Sequence, residues 1–391
     1  MRSSILVLNS GSSSIKFSLF ELGEHDPDSI LHGQIEGIGT RLPRLSVTEQ
    51  GGVRERALED SEANSHEAAI AALVRAIAER SGNFQIAAVG HRVVHGGARY
   101  VAPVQLDDAA LSYLETLIPL APLHQPHNLA TVRAVSRVLQ TPQVGCFDTS
   151  FHQGQSTEAQ LFGLPYDLYE AGVRRYGFHG LSYEYIASVL PKVAPAIAKG
   201  RVIVAHLGNG ASLCAMNAGR SVETTMAFSG LDGLPMGTRS GQLDPGVILF
   251  LLRDRGMDFR ALETLLYKQS GLLGISGVSA DMRDLLKSND PKAKLAIDYF
   301  VRRTTREITA LAGTLTGFDA LIFTGGIGEN SAEIRRRICQ RLGWLGLKLN
   351  ETANTTGNHR ITDDDSPVSA WVVPTNEELM IARHTRQLLA L

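Results

Sequence analysis

The sequence predicts a duplicated α/β protein, because both halves of the chain open with a strand, a loop of small residues and a second strand. Residues 5–8 are apolar, residues 10–14 are small, and residues 15–19 alternate apolar and polar side chains, which is typical of a strand. Residues 202–228 repeat this order with a glycine-rich loop. Two such openings indicate an internal repeat of mixed sheets flanked by helices, with a ligand cleft between the halves.

The remaining elements of the first half follow from the same patterns. Further strands are expected within 30–60, with turns at the glycines of 37–39 and 51–52. Residues 65–80 show an amphipathic helical pattern with Ser65 as N-cap. The later elements are a buried strand entering a glycine-rich loop at 86–97, helices at 107–117 and 127–139, and a strand at 143–152 whose end carries Asp148.

The second half closes with one more strand, loop and helix. Residues 321–338 contain an apolar strand, the glycine loop GGIGEN and a helical pattern. Asn330 and Glu333 have the spacing of a capping box at the start of that helix.

Composition narrows the class of protein. A chain of 391 residues with 43% apolar and 20% charged residues is ordinary for a globular protein of two domains. The net charge of −2 gives no general attraction for nucleic acid or for an anionic membrane. The three cysteines are far apart and odd in number, which fits neither a disulfide framework nor a cysteine zinc site. We expect a cytoplasmic protein that binds neither nucleic acid nor membrane.

The serine-rich loop after the first strand has two interpretations. A plain hairpin turn explains Asn9 to Ser14, and so does a loop that holds phosphate, with Lys16 reaching toward the bound group from the second strand. The segment lacks the Walker A pattern and continues into a strand, so a Walker loop is excluded.

Other glycine loops and cations add to the phosphate hypothesis. HLGNG at 206–210 follows a strand, and GGIGEN at 325–330 precedes a helix, so the backbone N–H groups of both segments could face an anion. Arg92 and Arg239 lie near glycines and suit phosphate or carboxylate oxygens, although either alone is as easily a surface arginine. The three loops together favour a nucleotide polyphosphate.

The chain resembles the acetate kinase family, motif after motif and in order. The segments that carry the resemblance are LVLNSGSSSIK, HRVVHGG, APLH, FDTSFH, YGFHG, HLGNGAS, MGTRSG, DMRD, TGGIGEN and PTNEE. The resemblance implies ribonuclease H-like domains at 1–150, joined by the C-terminal helix 376–391, and at 151–375, with nucleotide in the cleft. It also implies a homodimer that transfers the γ-phosphoryl group of ATP to acetate, giving acetyl phosphate and ADP.

The resemblance further implies a role for each matched residue. Arg92 would hold the carboxylate of acetate, while His179 and Arg239 would stabilise the transferring phosphoryl group and His124 would be an additional contact. Asp148 matches the acid/base residue of the family, which we interpret as orienting an arginine or Mg²⁺, because acetate has no proton to remove. Asn9 and Glu377 would be the metal ligands, for Mg²⁺ or alternatively Mn²⁺. The residues that would bind ATP are Ser12, Lys16, His206, Leu207, Gly208, Asn209, Gly210, Asp281, Met282, Arg283, Gly326, Ile327, Gly328, Glu329 and Asn330.

A small apolar pocket for the acetate methyl group is expected from Val94, Leu123 and Phe178, which otherwise are plain core residues. Gly230 stands where the family pattern has proline, which predicts one of two outcomes: either the position leaves room for propionate, or Leu231 or another side chain fills the space and acetate selectivity is unchanged. Gln242 and Leu243 replace an acidic–apolar pair, with no consequence evident from the sequence.

Three alternatives remain at this point. A propionate or butyrate kinase would share these motifs, and a sugar kinase would share the fold but need an aspartate base. An actin-like or chaperone-like protein would bind ATP without depending on a small acid.

Overall fold

The chain divides into two compact units in its structure, a computed structural model. Residues 2–11, 13–49, 52–80 and 84–391 are described, without the side chain of Arg80. The first unit contains Met1–Ser150 and Asn376–Leu391, and the second contains Phe151–Thr375.

The elements are numbered in chain order. The strands are β1 Arg2–Ser10, β2 Ser14–Glu21, β3 Asp28–Glu36, β4 Arg44–Glu49, β5 Gly52–Ala57, β6 Phe84–Val93, β7 Val104–Gln105, β8 Gln143–Phe147, β9 Arg201–Leu207, β10 Ala211–Asn217, β11 Arg220–Thr224, β12 Ala320–Thr324 and β13 Ser369–Val372. The helices are α1 Asp60–Ala63, α2 His66–Arg80, α3 Asp108–Thr116, α4 Gln125–Val138, α5 Thr157–Gln160, α6 Tyr166–Glu170, α7 Gly180–Val193, α8 Pro245–Arg253, α9 Phe259–Lys268, α10 Gly271–Ser276, α11 Met282–Lys287, α12 Pro291–Thr314, α13 Gly325–Asn330, α14 Ala332–Arg341, α15 Glu351–Thr355 and α16 Glu377–Leu389.

Both units contain the same five-stranded arrangement. The second sheet has the order β11-β10-β9-β12-β13, and the first sheet contains β3-β2-β1-β6-β8 within its longer order β5-β4-β3-β2-β1-β6-β8-β7. In each case the first three strands pair antiparallel and the last two join them in parallel. The predicted duplicated α/β fold is therefore confirmed.

The first sheet is covered by helices on its two faces. Leu6, Leu8 and Val89 point toward the core formed with α2 and α4. Alternate residues of the same strands point to the opposite face, where α16 packs on β1, β6 and β8. The C-terminal helix thus completes the first unit.

In the second unit, α7 supplies the apolar cover for β9 and β10. Its residues Tyr183, Ile186 and Leu190 form one core cluster with Val204 and Cys214 of the two strands. Side chains at every second position of β9 and β10 therefore face α7.

The glycine loop predicted at 325–330 is wrong, since these residues form the short helix α13. The capping box of Asn330 and Glu333 is wrong as well. Ser331 is the N-cap of α14, its side chain accepting from the backbone N–H of Ile334, while Glu333 pairs with Arg336. The N-cap of α14 is thus one residue later than expected. The strand predicted at 143–152 ends at Phe147, directly before Asp148.

No helix in the described part of the chain is long and apolar enough to cross a membrane. Cys146, Cys214 and Cys339 are buried, and none of the three forms a disulfide. Burial raises the pKa of the Cys214 and Cys339 thiols to about 12, which keeps both protonated and unreactive at neutral pH.

Candidate active site

The first candidate cluster lies at the carboxyl ends of the parallel strands β6 and β8. Arg92 is the penultimate residue of β6, and Asp148 follows β8 directly. Arg92 donates from Nε to Asp148 Oδ1 at 2.9 Å and from Nη2 to Asp148 Oδ2 at 2.5 Å. Asp148 is only 1% exposed, so water barely competes for this bidentate pair. Ligands of open α/β sheets bind outside these strand ends, which favours a site here.

Two more oxygen-bearing side chains meet Arg92. Asn9, next to the end of β1, accepts from Arg92 Nη1 through Oδ1 at 3.3 Å. Glu377, the first residue of α16, places Oε2 at 3.9 Å from Arg92 Nε. The structure therefore brings together Asn9, Arg92, Asp148 and Glu377, which the sequence places far apart.

Gly90 explains how α16 comes so close to β6. A Cβ at this position would lie 2.5 Å from Thr385 Oγ1 and 2.6 Å from Ile381 Cγ2, so a larger residue would push the helix away. Gly90 and Arg92 are two residues apart and face the same side of the sheet. The glycine therefore helps to set the distance between Arg92 and Glu377.

The charges of this cluster are unbalanced. The pKa of Glu377 is raised to about 7, mainly by burial; the positive charges of Arg92 and Lys16 oppose the increase, and the negative charges of Asp148 and Glu378 add to it. Burial alone would lower the pKa of Arg92, but the carboxylates of Asp148, Glu377 and Glu378 outweigh that effect and keep it charged. Three acidic side chains thus face two cations, and an added cation would relieve their repulsion.

The donors of the cluster suit a hard divalent cation. Amide and carboxylate oxygens, as in Asn9 and Glu377, are the ligands that Mg²⁺ prefers. Within the described residues, no group of three or more His, Cys, Asp or Glu side chains forms a ready metal site. A cation here would therefore need oxygen ligands from water or from a phosphate as well.

Asn128 is a contributor that the sequence analysis missed. Its Nδ2 donates to the carbonyl of Ser10 at 2.8 Å, and its Oδ1 accepts from the backbone N–H of Val94 at 3.1 Å. It is buried and ties the end of β1 to the segment after β6. Its burial could have been predicted from the helical spacing, because Asn128 lies three residues after Gln125 and four before Val132, on the buried face of α4.

The serine-rich segment is held at its backbone. His66 Nε2 lies 3.1 Å from the carbonyl oxygen of Gly11, and its ring stacks on that of His127 at 5.8 Å between centroids. Lys16 is the cross-strand partner of Asn9 in the β1–β2 register, so both side chains leave the same face. Ser12 lies outside the described residues.

The second cluster is a pair of stacked histidines in the second unit. The rings of His179 and His206 lie 4.2 Å apart between centroids with planes at 23°. His179 Nδ1 lies 2.9 Å from Ser212 Oγ, and His206 Nδ1 lies 2.8 Å from Ser182 Oγ. Tyr183 also hydrogen-bonds to Ser212 through its hydroxyl. Both Nδ1 atoms are therefore fixed.

Arg239 and His179 meet at Gly210. A Cβ at Gly210 would lie 3.2 Å from Arg239 Nη2 and 3.3 Å from His179 Nε2. The other terminal nitrogen of Arg239, Nη1, donates to the carbonyl of Gly230 at 2.8 Å. The structure thus brings Arg239, His179 and the HLGNG segment together.

Gln242 connects the loop that carries Arg239 to α12. Its Oε1 accepts from Arg303 Nη2 at 2.7 Å. Its backbone N–H donates to the carbonyl of Gly233 at 2.9 Å. Gln242, which stands where the family pattern has an acidic residue, therefore has a structural role: it holds this loop to the long helix α12.

The start of α13 lies near the same glycine loop. A Cβ at Gly208 would be 3.9 Å from the backbone N of Gly326 and 3.9 Å from His206 Nε2. Gly326 and Asn330 are exposed, and Asn330 Nδ2 donates to the carbonyl of Gly326 at 3.0 Å. Ile327 is half-buried.

The backbone of α13 is secured by charged side chains. Glu329 Oε1 accepts from the backbone N–H groups of Gly325 at 2.8 Å and of Thr375 at 3.1 Å. Arg335 donates from Nη1 to the carbonyls of Gly328 at 2.9 Å and of Glu329 at 2.7 Å. The Glu329 carboxylate therefore binds its own helix start.

The segment 281–283 presents two polar side chains. Arg283 donates to Asp281 at 2.6 Å, and this hydrogen bond lowers the pKa of Asp281 to about 2. Asp281 is also the N-cap of α11. Met282 is buried, so its side chain belongs to the core.

The remaining predicted residues divide between the two units. Val94, Leu123 and His124 belong to the first unit, and Phe178 belongs to the second. Val94 and Phe178 are buried, Leu123 is half-buried, and the exposed His124 is the N-cap of α4. His152 Nε2 lies 3.0 Å from the carbonyl of Phe178, directly before His179.

Comparison with known proteins gives one consistent result. The model described as the acetokinase family matches residues 4–383. An acetate kinase of Rhodopseudomonas palustris is 51% identical, with 98% of each chain covered. An acetate kinase of Nitrobacter hamburgensis is 50% identical, over 99% of this chain and 96% of the relative.

Solved structures agree with the sequence relatives. The acetate kinase of Porphyromonas gingivalis has a TM-score of 0.89 at 36% identity and covers 99% of this chain and 100% of its own. A propionate kinase of Francisella tularensis has a TM-score of 0.92 at 37% identity and covers 98% of this chain and 99% of its own. The chain belongs to the acetokinase family.

Proposed function

We propose that this protein transfers the γ-phosphoryl group of ATP to acetate, reversibly, giving acetyl phosphate and ADP. The observation that carries this conclusion is the family match over residues 4–383, with acetate kinases about half identical along the whole chain.

The reaction requires the negative charges of the two reactants to be screened and the reactants to be aligned, more than it requires a strong base. A carboxylate oxygen of acetate forms a bond to the γ-phosphorus, while the bond to the β–γ bridging oxygen breaks and ADP leaves with its electron pair. Acetate is already ionised at neutral pH, so no proton must be removed. The transition state is loose and spreads negative charge over the equatorial oxygens.

In the first unit, Arg92 is proposed to hold the acetate carboxylate. Its Nε and Nη2 are committed to Asp148, which supports our interpretation that Asp148 orients the guanidinium instead of moving a proton. Lys16 is proposed to contact phosphate, together with Ser12. Val94, Leu123 and Phe178 are proposed to line the methyl pocket, and His124 to be an additional contact.

In the second unit, Arg239 and His179 are proposed to stabilise the transferring phosphoryl group. Their shared position at Gly210 supports a joint role, because an anion beside that glycine would meet both. His206, Leu207, Gly208 and Asn209 are proposed to bind ATP phosphate with Gly210. The adenosine is proposed to contact Asp281, Met282 and Arg283 as well as Gly326, Ile327, Gly328, Glu329 and Asn330.

Asn9 and Glu377 are proposed to hold Mg²⁺, with Mn²⁺ as the alternative. The ion, when bound, neutralises phosphate charge and polarises the phosphoryl oxygens. The raised pKa of Glu377 supports a cation at this place, because positive charge nearby would restore its ionised form.

We also propose a cytoplasmic homodimer. The apolar helix α8 has no buried residue within the chain, and Val247, Leu249, Phe250 and Leu252 are exposed on it. A second copy is the partner that this surface fits best, since monomers rarely expose apolar patches of this kind.

The decisive experiment is trapping of the acyl phosphate with hydroxylamine. The purified protein with ATP and Mg²⁺ is given acetate, propionate, butyrate or glucose in parallel. We expect hydroxamate from acetate at the highest kcat/KM. A preference for propionate would favour the second candidate, a propionate kinase, which Gly230 and the Francisella structure support. ATP turnover with glucose alone, or with no acceptor, would reject the proposal.

A further inference from the structure

His179 is linked through Ser212 to a buried tyrosine. Its Nδ1 lies 2.9 Å from Ser212 Oγ, and the hydroxyl of Tyr183 hydrogen-bonds to the same oxygen. Ser212 and Tyr183 are both fully buried, so bulk water does not compete for their hydroxyl groups. The three side chains therefore form one chain of hydrogen bonds, which leads from the core of the second unit to the imidazole ring.

The elements that carry this chain hold it in place. Tyr183 lies near the start of α7, and its ring belongs to the apolar core cluster that α7 forms with β9 and β10. Ser212 lies two residues before Cys214 on β10, so both side chains face α7. Since a side chain packed in a core keeps one rotamer, the Tyr183 hydroxyl stays directed at Ser212.

The direction of the hydrogen bonds follows from the two hydroxyl groups. The phenol of tyrosine is more acidic than the hydroxyl of serine and is the better donor, so Tyr183 donates to Ser212 Oγ. Serine has a single hydroxyl proton, which is then directed at His179 Nδ1. In a neutral imidazole one nitrogen donates and the other accepts, so an accepting Nδ1 places the proton on Nε2.

The Nε2 atom of His179 faces the place proposed for the transferring phosphoryl group. A Cβ at Gly210 would lie 3.3 Å from this atom and 3.2 Å from Arg239 Nη2. A protonated Nε2 donates a hydrogen bond to a phosphoryl oxygen, whereas a bare Nε2 would turn its lone pair toward that oxygen. His179 is the N-cap of α7, and the positive end of this helix and the charge of Arg239 both oppose a second proton on the ring.

We propose that Tyr183 and Ser212 are positioning residues for phosphoryl transfer, whose hydroxyl groups keep neutral His179 in the tautomer that carries its proton on Nε2. This inference rests on the proposed function and on the role given there to His179. Without the two hydroxyl groups, the ring also adopts the tautomer with its proton on Nδ1, which donates nothing to the phosphoryl group. The other ring of the stack, His206, is held by a different hydroxyl, that of Ser182.

The tautomer can be measured without any activity assay. In NMR of the protein labelled with nitrogen-15 at histidine, protonated and bare ring nitrogens differ in chemical shift, and His179→Ala identifies the His179 signals by their loss. We expect a protonated Nε2 and a bare Nδ1 in the wild type, and a mixture of both tautomers in Tyr183→Phe. A wild type with a protonated Nδ1, alone or together with Nε2, would overturn the inference.

Steady-state kinetics test whether the tautomer matters for the reaction. Tyr183→Phe removes the hydroxyl and keeps the buried ring, and Tyr185→Phe is the matched control, because it makes the same change two residues further along α7. We expect kcat to fall about threefold to tenfold in Tyr183→Phe and about tenfold or more in Ser212→Ala, since each loses a hydrogen bond that orients the ring. The KM for ATP should stay within about twofold. Tyr185→Phe should match the wild type, and melting curves check the fold.

A double-mutant cycle with His179→Ala tests whether the effect passes through the imidazole. Once His179 is absent, Tyr183→Phe should cause no further loss of kcat. Equal losses in both backgrounds would overturn the inference, and so would an unchanged tautomer with full activity in Tyr183→Phe. A wild type that forms no acyl phosphate would instead reject the proposed function.

Discussion

At the scale of residues, the two central arginines are held by different kinds of partner. Arg92 is bound by the carboxylate of Asp148, which fixes its direction and compensates its charge. Arg239 docks on a neutral carbonyl, a contact that adds no negative charge. This difference suits a binding role for Arg92 and a role at developing negative charge for Arg239.

Replacing Arg239 with alanine is expected to lower kcat by roughly 10²–10³-fold with little change in KM for ATP, because the contact strengthens in the transition state. Arg92→Ala should also raise KM for acetate, since it would remove a ground-state contact. Steady-state kinetics with both substrates measure the split, and the exposed Arg133→Ala is the control. Near-normal turnover of Arg239→Ala would remove it from the mechanism.

The elevated pKa of Glu377 makes a prediction about stability. The folded state binds this proton more tightly than the unfolded chain, since the pKa is raised from 4.5 to about 7. The stabilising contribution is therefore complete below pH 4.5 and is lost as pH rises through about 7. In metal-free buffer, urea unfolding from pH 5 to 8 should show a smaller loss of unfolding free energy for Glu377→Gln than for the wild type.

The neighbouring Glu378→Gln variant serves as the control, and its unfolding free energy should fall with rising pH nearly as much as that of the wild type. Glu377→Ala should in addition raise the Mg²⁺ concentration needed for activity, whereas Glu378→Ala should be mild. If the unfolding free energies of the wild type and of Glu377→Gln depend on pH in the same way, Glu377 is not the group whose titration changes the stability.

At the scale of elements, the sequence was informative where periodicity decides the structure. Helix α2 begins at His66, and the backbone N–H of Ala68 donates to the hydroxyl of Ser65, so the predicted N-cap is confirmed. Segment GGIGEN was expected to be a loop because glycine disfavours helices. It forms α13 since Glu329 and Arg335 satisfy backbone groups at both of its ends, and such contacts leave no periodic signal.

Arg335 is expected to be the residue on which α13 depends. It is buried, and it donates to two carbonyls of α13 and to both oxygens of Asn354. Arg335→Ala leaves these acceptors without their donor, which should cost about 2–4 kcal/mol of unfolding free energy. Urea unfolding measures the loss.

The adjacent, more exposed Arg336→Ala is the matched control for this experiment. If α13 contributes to the nucleotide site, Arg335→Ala should also raise the KM for ATP while Arg336→Ala does not. Equal stability of the two variants would show that other contacts hold the helix.

At the scale of the whole molecule, the duplicated fold could be predicted because both copies preserve the strand–loop–strand opening. The grouping of site residues could not be read from spacing. Asn9, Arg92, Asp148 and Glu377 meet because parallel strands end at one edge and α16 returns to them from the other end of the chain. Motif resemblance named these residues, but Asn128 acquires its role only through contacts in three dimensions.

The last prediction concerns assembly. Helix α8 carries Leu249 and Phe250, which are 63% and 44% exposed, and α9 begins with Phe259 at 73%. Full burial of one such side chain stabilises by about 1.5–3 kcal/mol, so a partner that covers several of them gains enough to bind stably. Light scattering after size-exclusion chromatography should give twice the chain mass of 42.2 kDa for the wild type.

The Leu249→Glu variant should have the mass of a single chain, because a charge buried at an interface is costly. Leu295→Glu on α12, where the leucine is 59% exposed, is the matched control and should stay dimeric. A monomeric wild type would reject the proposed dimer, and a dimeric Leu249→Glu would place its interface elsewhere.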